Sequence, residues 1–180
     1  MPSISNQALQ KHVRYFDENG DGKIYPGEMY RKARELGMSS GRAALFTALT
    51  EVTRGTPTSG KPWVVDLNNI EKSRFDGSSG VVDAQGDITG ARVNEFFSTT
   101  DTNHDGKLQE SELMARVDKD NPGSWWAQTK NKAGWSAVVR MAGKVDASGE
   151  RSVTKSQVDD LYSGDLFFKL AAENKANGQK

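Results

Sequence analysis

Asp17-Glu18-Asn19-Gly20-Asp21-Gly22-Lys23-Ile24-Tyr25-Pro26-Gly27-Glu28 is the stretch from which the fold is read. Asp17, Asn19 and Asp21 place side-chain oxygens at alternate positions, and Glu28 closes the stretch with a carboxylate that can offer two. Lys23 stands where only a backbone carbonyl is needed, so its side chain is no obstacle. Gly22 falls at the sharp turn, where a Cβ would strain the backbone. This is the spacing with which an EF-hand loop wraps a hard, oxygen-seeking cation. Ile24 occupies the position that forms a short strand against a partner loop, and Pro26 needs no backbone donor at the start of the next helix.

Asp101-Thr102-Asn103-His104-Asp105-Gly106-Lys107-Leu108-Gln109-Glu110-Ser111-Glu112 repeats the arrangement. Here Asp101, Asn103, Asp105, the Lys107 carbonyl and Glu112 are the expected ligands, and Leu108 is the strand residue. His104 points away from the ion. Tyr25 and Gln109 stand where a bridging water is expected. Three carboxylates and one amide in each loop predict roughly micromolar calcium affinity. The flanks carry helical periodicity: Leu9, Val13 and Phe16 before the first loop, and Val93, Phe96 and Phe97 before the second. Met29, Ala33 and Leu36 follow the first, and Leu113, Met114 and Val117 the second.

Loops of this kind pair through their strand residues, so each needs a partner. Residues 146–157 read as a degenerate loop in which Val153 pairs with Leu108, Arg151 replaces the turn glycine and Gln157 replaces the closing acid. Residues 81–92 read as an ion-free pseudo-loop in which Ile88 pairs with Ile24. The expected fold class is all-α, with two paired helix-loop-helix lobes and short antiparallel loop strands. The lobes fall at 5–100 and 92–172, share the helix carrying Phe96 and Phe97, and are followed by a polar tail at 173–180. Arg42 to Arg54 predicts an amphipathic helix, and Gly55 to Pro62 a loop.

Composition narrows the function. The 180 residues hold 24 basic and 24 acidic side chains, so no strong field points to nucleic acid or an anionic membrane. No cysteine is present, which excludes disulfides, thiolate zinc sites and cysteine nucleophiles, and two histidines exclude a histidine-rich metal site. The start Met1-Pro2-Ser3-Ile4-Ser5-Asn6 lacks the pattern of a signal peptide. No apolar run approaches the roughly 20 residues of a membrane span. These features predict a soluble, cytoplasmic protein.

Several segments, in order along most of the chain, resemble the caleosin family, the calcium-binding proteins of lipid droplets. They are Leu9 to Asp17 with Lys23 to Glu28, Asn69 to Lys72 with Ser79 to Gly86, Ser124 to Ala127 through Trp135, and Tyr162 to Phe167. The resemblance implies haem binding and peroxygenase activity, with oxygen moved from a lipid hydroperoxide to an unsaturated lipid. His12 matches the first of the family's two haem histidines; Phe75 stands at the second, so paired histidine ligation is lost. One axial histidine can serve a haem enzyme. The family's apolar hairpin with its proline knot is replaced by the Arg42–Arg54 helix and a polar loop, which bears on peripheral association with lipid droplets.

Three readings stand at this point. The chain is a calcium protein with structural or regulatory sites, a haem peroxygenase using His12, or a calcium-switched binder of a protein partner. Without haem, His12 reads as a core histidine between Leu9, Val13 and Phe16. Trp125, Trp126 and Trp135 read as core or as the wall of a haem pocket. Met29, Met114 and Met141 read as core or as a groove opened by calcium.

Overall fold

A computed structural model describes residues 10–11, 13–73, 81, 88–146 and 149–178. The described chain is mainly helical, with two small antiparallel sheets. It divides into two compact units: Met1–Arg74 together with Ser163–Lys180, and Phe75–Tyr162. These differ from lobes at 5–100 and 92–172, because the first unit draws a helix from the far end of the sequence. The helix carrying Phe96 and Phe97 lies in the second unit.

In the first unit a short 3-10 turn, Arg14–Phe16, leads into the loop at 17–28. Strand β1 (Lys23–Ile24) and helix α1 (Pro26–Glu35) follow. Met29, Ala33 and Leu36 are buried, as their spacing predicts. Helix α2 runs Ser40–Ser59, beyond the expected end at Arg54. Composition misleads here because Gly55 and Pro57 sit inside a real helix. A Cβ on Gly55 would lie 2.6 Å from the Lys61 carbonyl oxygen, so glycine admits the chain as it folds back over the helix. Pro57 removes a backbone donor, and hydroxyls bond to nearby carbonyls: Thr58 donates to Arg54 O at 2.7 Å and Ser59 to Gly55 O at 3.1 Å. Gly60, with φ 74°, ends the helix.

Strand β2 (Val65–Asp66) then pairs with β1, placing Ile24 opposite Val65. This corrects the expected pairing of Ile24 with Ile88; residues 82–87 of that pseudo-loop lie outside the described residues. The β-branched run Val64-Val65 follows the returning chain, where it can reach Ile24 locally. A 3-10 segment, Leu67–Ser73, leads out of this sheet.

The second unit holds α3 (Gly90–Thr100), β3 (Lys107–Gln109), α4 (Glu110–Asp120) and α5 (Trp125–Ala142). Strands β4 (Lys144–Val145) and β5 (Arg151–Thr154) and helix α6 (Lys155–Ser163) complete the elements that follow. The sheet order is β3-β5-β4, with Leu108 opposite Val153, the pairing that loop spacing predicts. Val93, Phe96, Phe97, Leu113 and Val117 are buried. Trp135 stacks on Phe96 with ring centroids 5.5 Å apart. Trp125 and Trp126 correct the core reading: they are 72% and 56% exposed on the first turn of α5.

Helix α7 (Leu166–Ala176) belongs to the first unit. Leu166, Phe167 and Leu170 are buried, and Phe167 packs on Phe16 with centroids 5.3 Å apart. Among the described residues no helix is long and apolar enough to cross a membrane.

Candidate functional site

The two twelve-residue loops carry nearly the same set of hydrogen bonds. In the first, Gly22 N donates to Asp17 Oδ2 at 2.9 Å, Asp21 N to Asn19 Oδ1 at 2.9 Å, and Lys23 N to Asp21 Oδ1 at 2.8 Å. In the second, Gly106 N donates to Asp101 Oδ2 at 3.0 Å, Asp105 N to Asn103 Oδ1 at 3.0 Å, and Lys107 N to Asp105 Oδ1 at 2.9 Å. Each acid therefore folds the backbone around itself while its remaining lone pairs stay available. Gly22 and Gly106 take φ values of 81° and 79°, which allow the turn between the first ligand positions and the strand. His104 takes φ 58°, a left-handed conformation that Gly20 fills in the first loop with φ 73°.

Glu28 and Glu112 close their loops in the same way. Glu28 Oε1 accepts from Asn19 N at 3.3 Å and Oε2 from Tyr25 N at 3.0 Å. Glu112 Oε1 accepts from Asn103 N at 3.3 Å and Oε2 from Gln109 N at 3.0 Å. Both glutamates stand at the third position of their helix and reach back to the residue that caps it. Helix geometry thus ties the end of each loop to its beginning. Glu28, Glu112 and Asp101 are buried, Asp17 is half-buried, and Asn19, Asp21, Lys23, Asn103, Asp105 and Lys107 are exposed.

The donor set suits calcium chemically, being all oxygen and rich in carboxylates. Among the described residues no group of three or more His, Cys, Asp or Glu side chains is drawn close enough to hold a metal ion. Each loop counts an amide and a backbone carbonyl among its expected ligands, and its acids are turned to their own backbone donors.

Among its described residues, the segment at 146–157 keeps the closing contact of these loops with an amide in place of the acid. Gln157 Oε1 accepts from Thr154 N at 2.9 Å, the same reach-back that Glu28 and Glu112 make. Its amide Nε2 donates to Ala142 O at 2.6 Å. A neutral side chain closes this segment on protein atoms. Glu150 reaches out of it, and its Oε1 accepts from Ser111 N at 2.8 Å at the start of α4.

His12 and Phe75 lie outside the described residues. Their neighbours are placed: Lys11 Nζ pairs with Asp165 at 3.3 Å, and a Cβ on Gly164 would lie 2.8 Å from the Lys11 carbonyl oxygen. Tyr15 is buried and donates to Glu35 Oε2 at 2.9 Å; burial, then that hydrogen bond, push its phenol well above the usual range. Described parts of the first and last segments that resemble one family, Lys11 to Phe16 without His12 and Gly164 to Phe167, therefore meet in one unit. A family model described as caleosin-related protein matches residues 5–171.

The chain belongs to the caleosin family.

One caleosin relative, a probable peroxygenase 4 from Arabidopsis thaliana, is 27% identical over 183 residues, covering 96% of this chain and 89% of the relative. Two features of this caleosin escaped sequence reading. One is the Ile24–Val65 pairing, signalled only by a two-valine run. The other is Glu51, on the inner face of α2, which no ligand spacing marks. It is 1% exposed, and neither carboxyl oxygen has a hydrogen-bond partner. Burial first, and then the Glu28 charge, push its carboxyl up to about 7.

Proposed function

We propose that this caleosin binds two calcium ions in EF-hand loops at 17–28 and 101–112, in structural or regulatory sites. The expected ligands are Asp17, Asn19, Asp21, the Lys23 carbonyl and Glu28, and Asp101, Asn103, Asp105, the Lys107 carbonyl and Glu112. The observation that carries the reading is the reach-back of Glu28 and Glu112 from the third position of a helix to both ends of an oxygen-lined loop. Neutral Gln157 makes part of that contact without needing an ion, which supports assigning the ions to the two acidic loops. Calorimetric titration should show two ions bound, and Asp17→Ala or Asp101→Ala should each remove one. Chelation should lower the melting temperature; at free calcium 100-fold above its dissociation constant the ion contributes about 2.7 kcal/mol. An absence of saturable uptake would end this reading.

A second reading is a calcium-dependent haem peroxygenase acting on unsaturated lipids, with His12 as the haem ligand. The name of the Arabidopsis relative and its 96% coverage of this chain favour it. Haem would supply oxygen transfer from a hydroperoxide. The chain's own contribution would be to hold the segment around His12, and the Lys11–Asp165 pair and the approach of Gly164 support that role. Loading with haem should give a Soret band that His12→Val abolishes. Full retention of the band in that variant would remove His12 from the role.

A further inference from the structure

Thr47 and Glu51 stand one turn apart on α2 and face α1. Both side chains are buried, and Thr47 Oγ1, Glu51 Oε1 and Glu51 Oε2 have no hydrogen-bond partner. They help line a pocket of about 440 Å³ together with Pro26, Tyr30, Ala48 and Trp63. No lining residue of this pocket is basic. A buried carboxyl group without a donor costs several kcal/mol, whereas an apolar side chain on this face would cost nothing of the kind. Groups kept at such a cost and lining a concave surface are candidates for recognition.

The chemistry of the lining selects the occupant. Three unpartnered oxygens closed to solvent at the pocket wall call for a ligand rich in donors that reaches them as the wall opens, and an ammonium group carries three N–H bonds and no acceptor. Two of those oxygens belong to a carboxyl. Tyr30 and Trp63 supply aromatic faces, which attract cations. Trp63 is 60% exposed, and an exposed side chain changes rotamer quickly enough to admit a ligand. A ligand carrying carboxylate or phosphate would meet the Glu51 carboxyl. The volume lies at the small end of the range for small-molecule sites.

We propose that the pocket between α1 and α2 binds a small organic cation, a protonated primary amine with an aromatic or alkyl body, its ammonium held by Glu51 and Thr47. The amine enters beside Trp63, and its apolar body lies against Pro26, Tyr30 and Ala48. No residue lining the pocket is an expected calcium ligand, though Pro26 belongs to the loop at 17–28.

Phenethylammonium is the probe, titrated calorimetrically into the full chain with calcium present so that free loop acids do not capture the cation. Saturable one-site binding is expected. Phenethyl alcohol and phenylpropionate, matched in shape but neutral or anionic, should bind at least about tenfold more weakly, a difference of about 1.4 kcal/mol. Glu51→Gln should weaken the amine by a similar factor. No saturable binding of the amine, equal binding of the alcohol, or unchanged affinity in Glu51→Gln would each overturn the proposal. If Glu51→Gln fails to fold, the three-ligand comparison on the native chain decides alone.

Discussion

At Glu51 a single side chain links burial to acidity. Its carboxyl stands at about 7 in the folded chain against an ordinary value of 4.5. The folded form therefore holds the proton more tightly than the unfolded form. The stability this provides is complete below pH 4.5 and is lost as pH rises toward 7. At about 1.4 kcal/mol for each pH unit, the loss is about 3 kcal/mol. Glu51→Gln carries no titrating group, so with calcium chelated its stability relative to the native chain should rise by about that amount between these limits. Urea midpoints measured across the range check this, and parallel profiles would refute it. Nothing in the sequence marks Glu51, because its effect comes from what surrounds it and not from its neighbours in the chain. The loop residues are the opposite case. Asp17, Asn19, Asp21 and Glu28 act through local spacing, so their arrangement is legible before any tertiary contact is known.

Elements show the same division. Helix α1 was readable from Met29, Ala33 and Leu36, and the Leu108–Val153 pairing from loop register. Helix α2 was not, since its last turns are built from Gly55, Thr56, Pro57 and Thr58, a composition shared with loops. The first sheet is not legible in this way, because Val65 and Ile88 offer similar apolar partners to Ile24, and the return of the chain over Gly55 favours Val65. This pairing has a measurable consequence. Val65→Ala removes two buried carbons next to Ile24 and should cost about 2 kcal/mol. It should also weaken calcium uptake at the first loop, whereas Ile88→Ala should leave that uptake unchanged. The reverse pattern in a calorimetric titration would restore Ile88 as the partner.

At the scale of the whole molecule, the first unit depends on α7. Tyr15 and Phe16 lie against Phe167 with centroids 6.0 and 5.3 Å away, and Asn174 Nδ2 donates to Glu35 O at 3.1 Å. Burial of each such apolar side chain stabilises by about 1.5–3 kcal/mol. A chain ended after Ser163 should therefore lose calcium uptake at 17–28 and keep it at 101–112, so that titration falls from two ions to one. Retention of both ions would show that α7 is dispensable. Local motifs foretold the loops but not this dependence, since Phe16 and Phe167 meet only through the fold.

The placement of α7 also sets an order of events during synthesis. Ribosomes deliver the acidic loop at 17–28 early, but the helix that covers Phe16 emerges only after all of Phe75–Tyr162 has been made. The second unit can fold first. Until α7 arrives, the nascent first unit leaves an aromatic face bare, and that interval is when a chaperone would have something to hold.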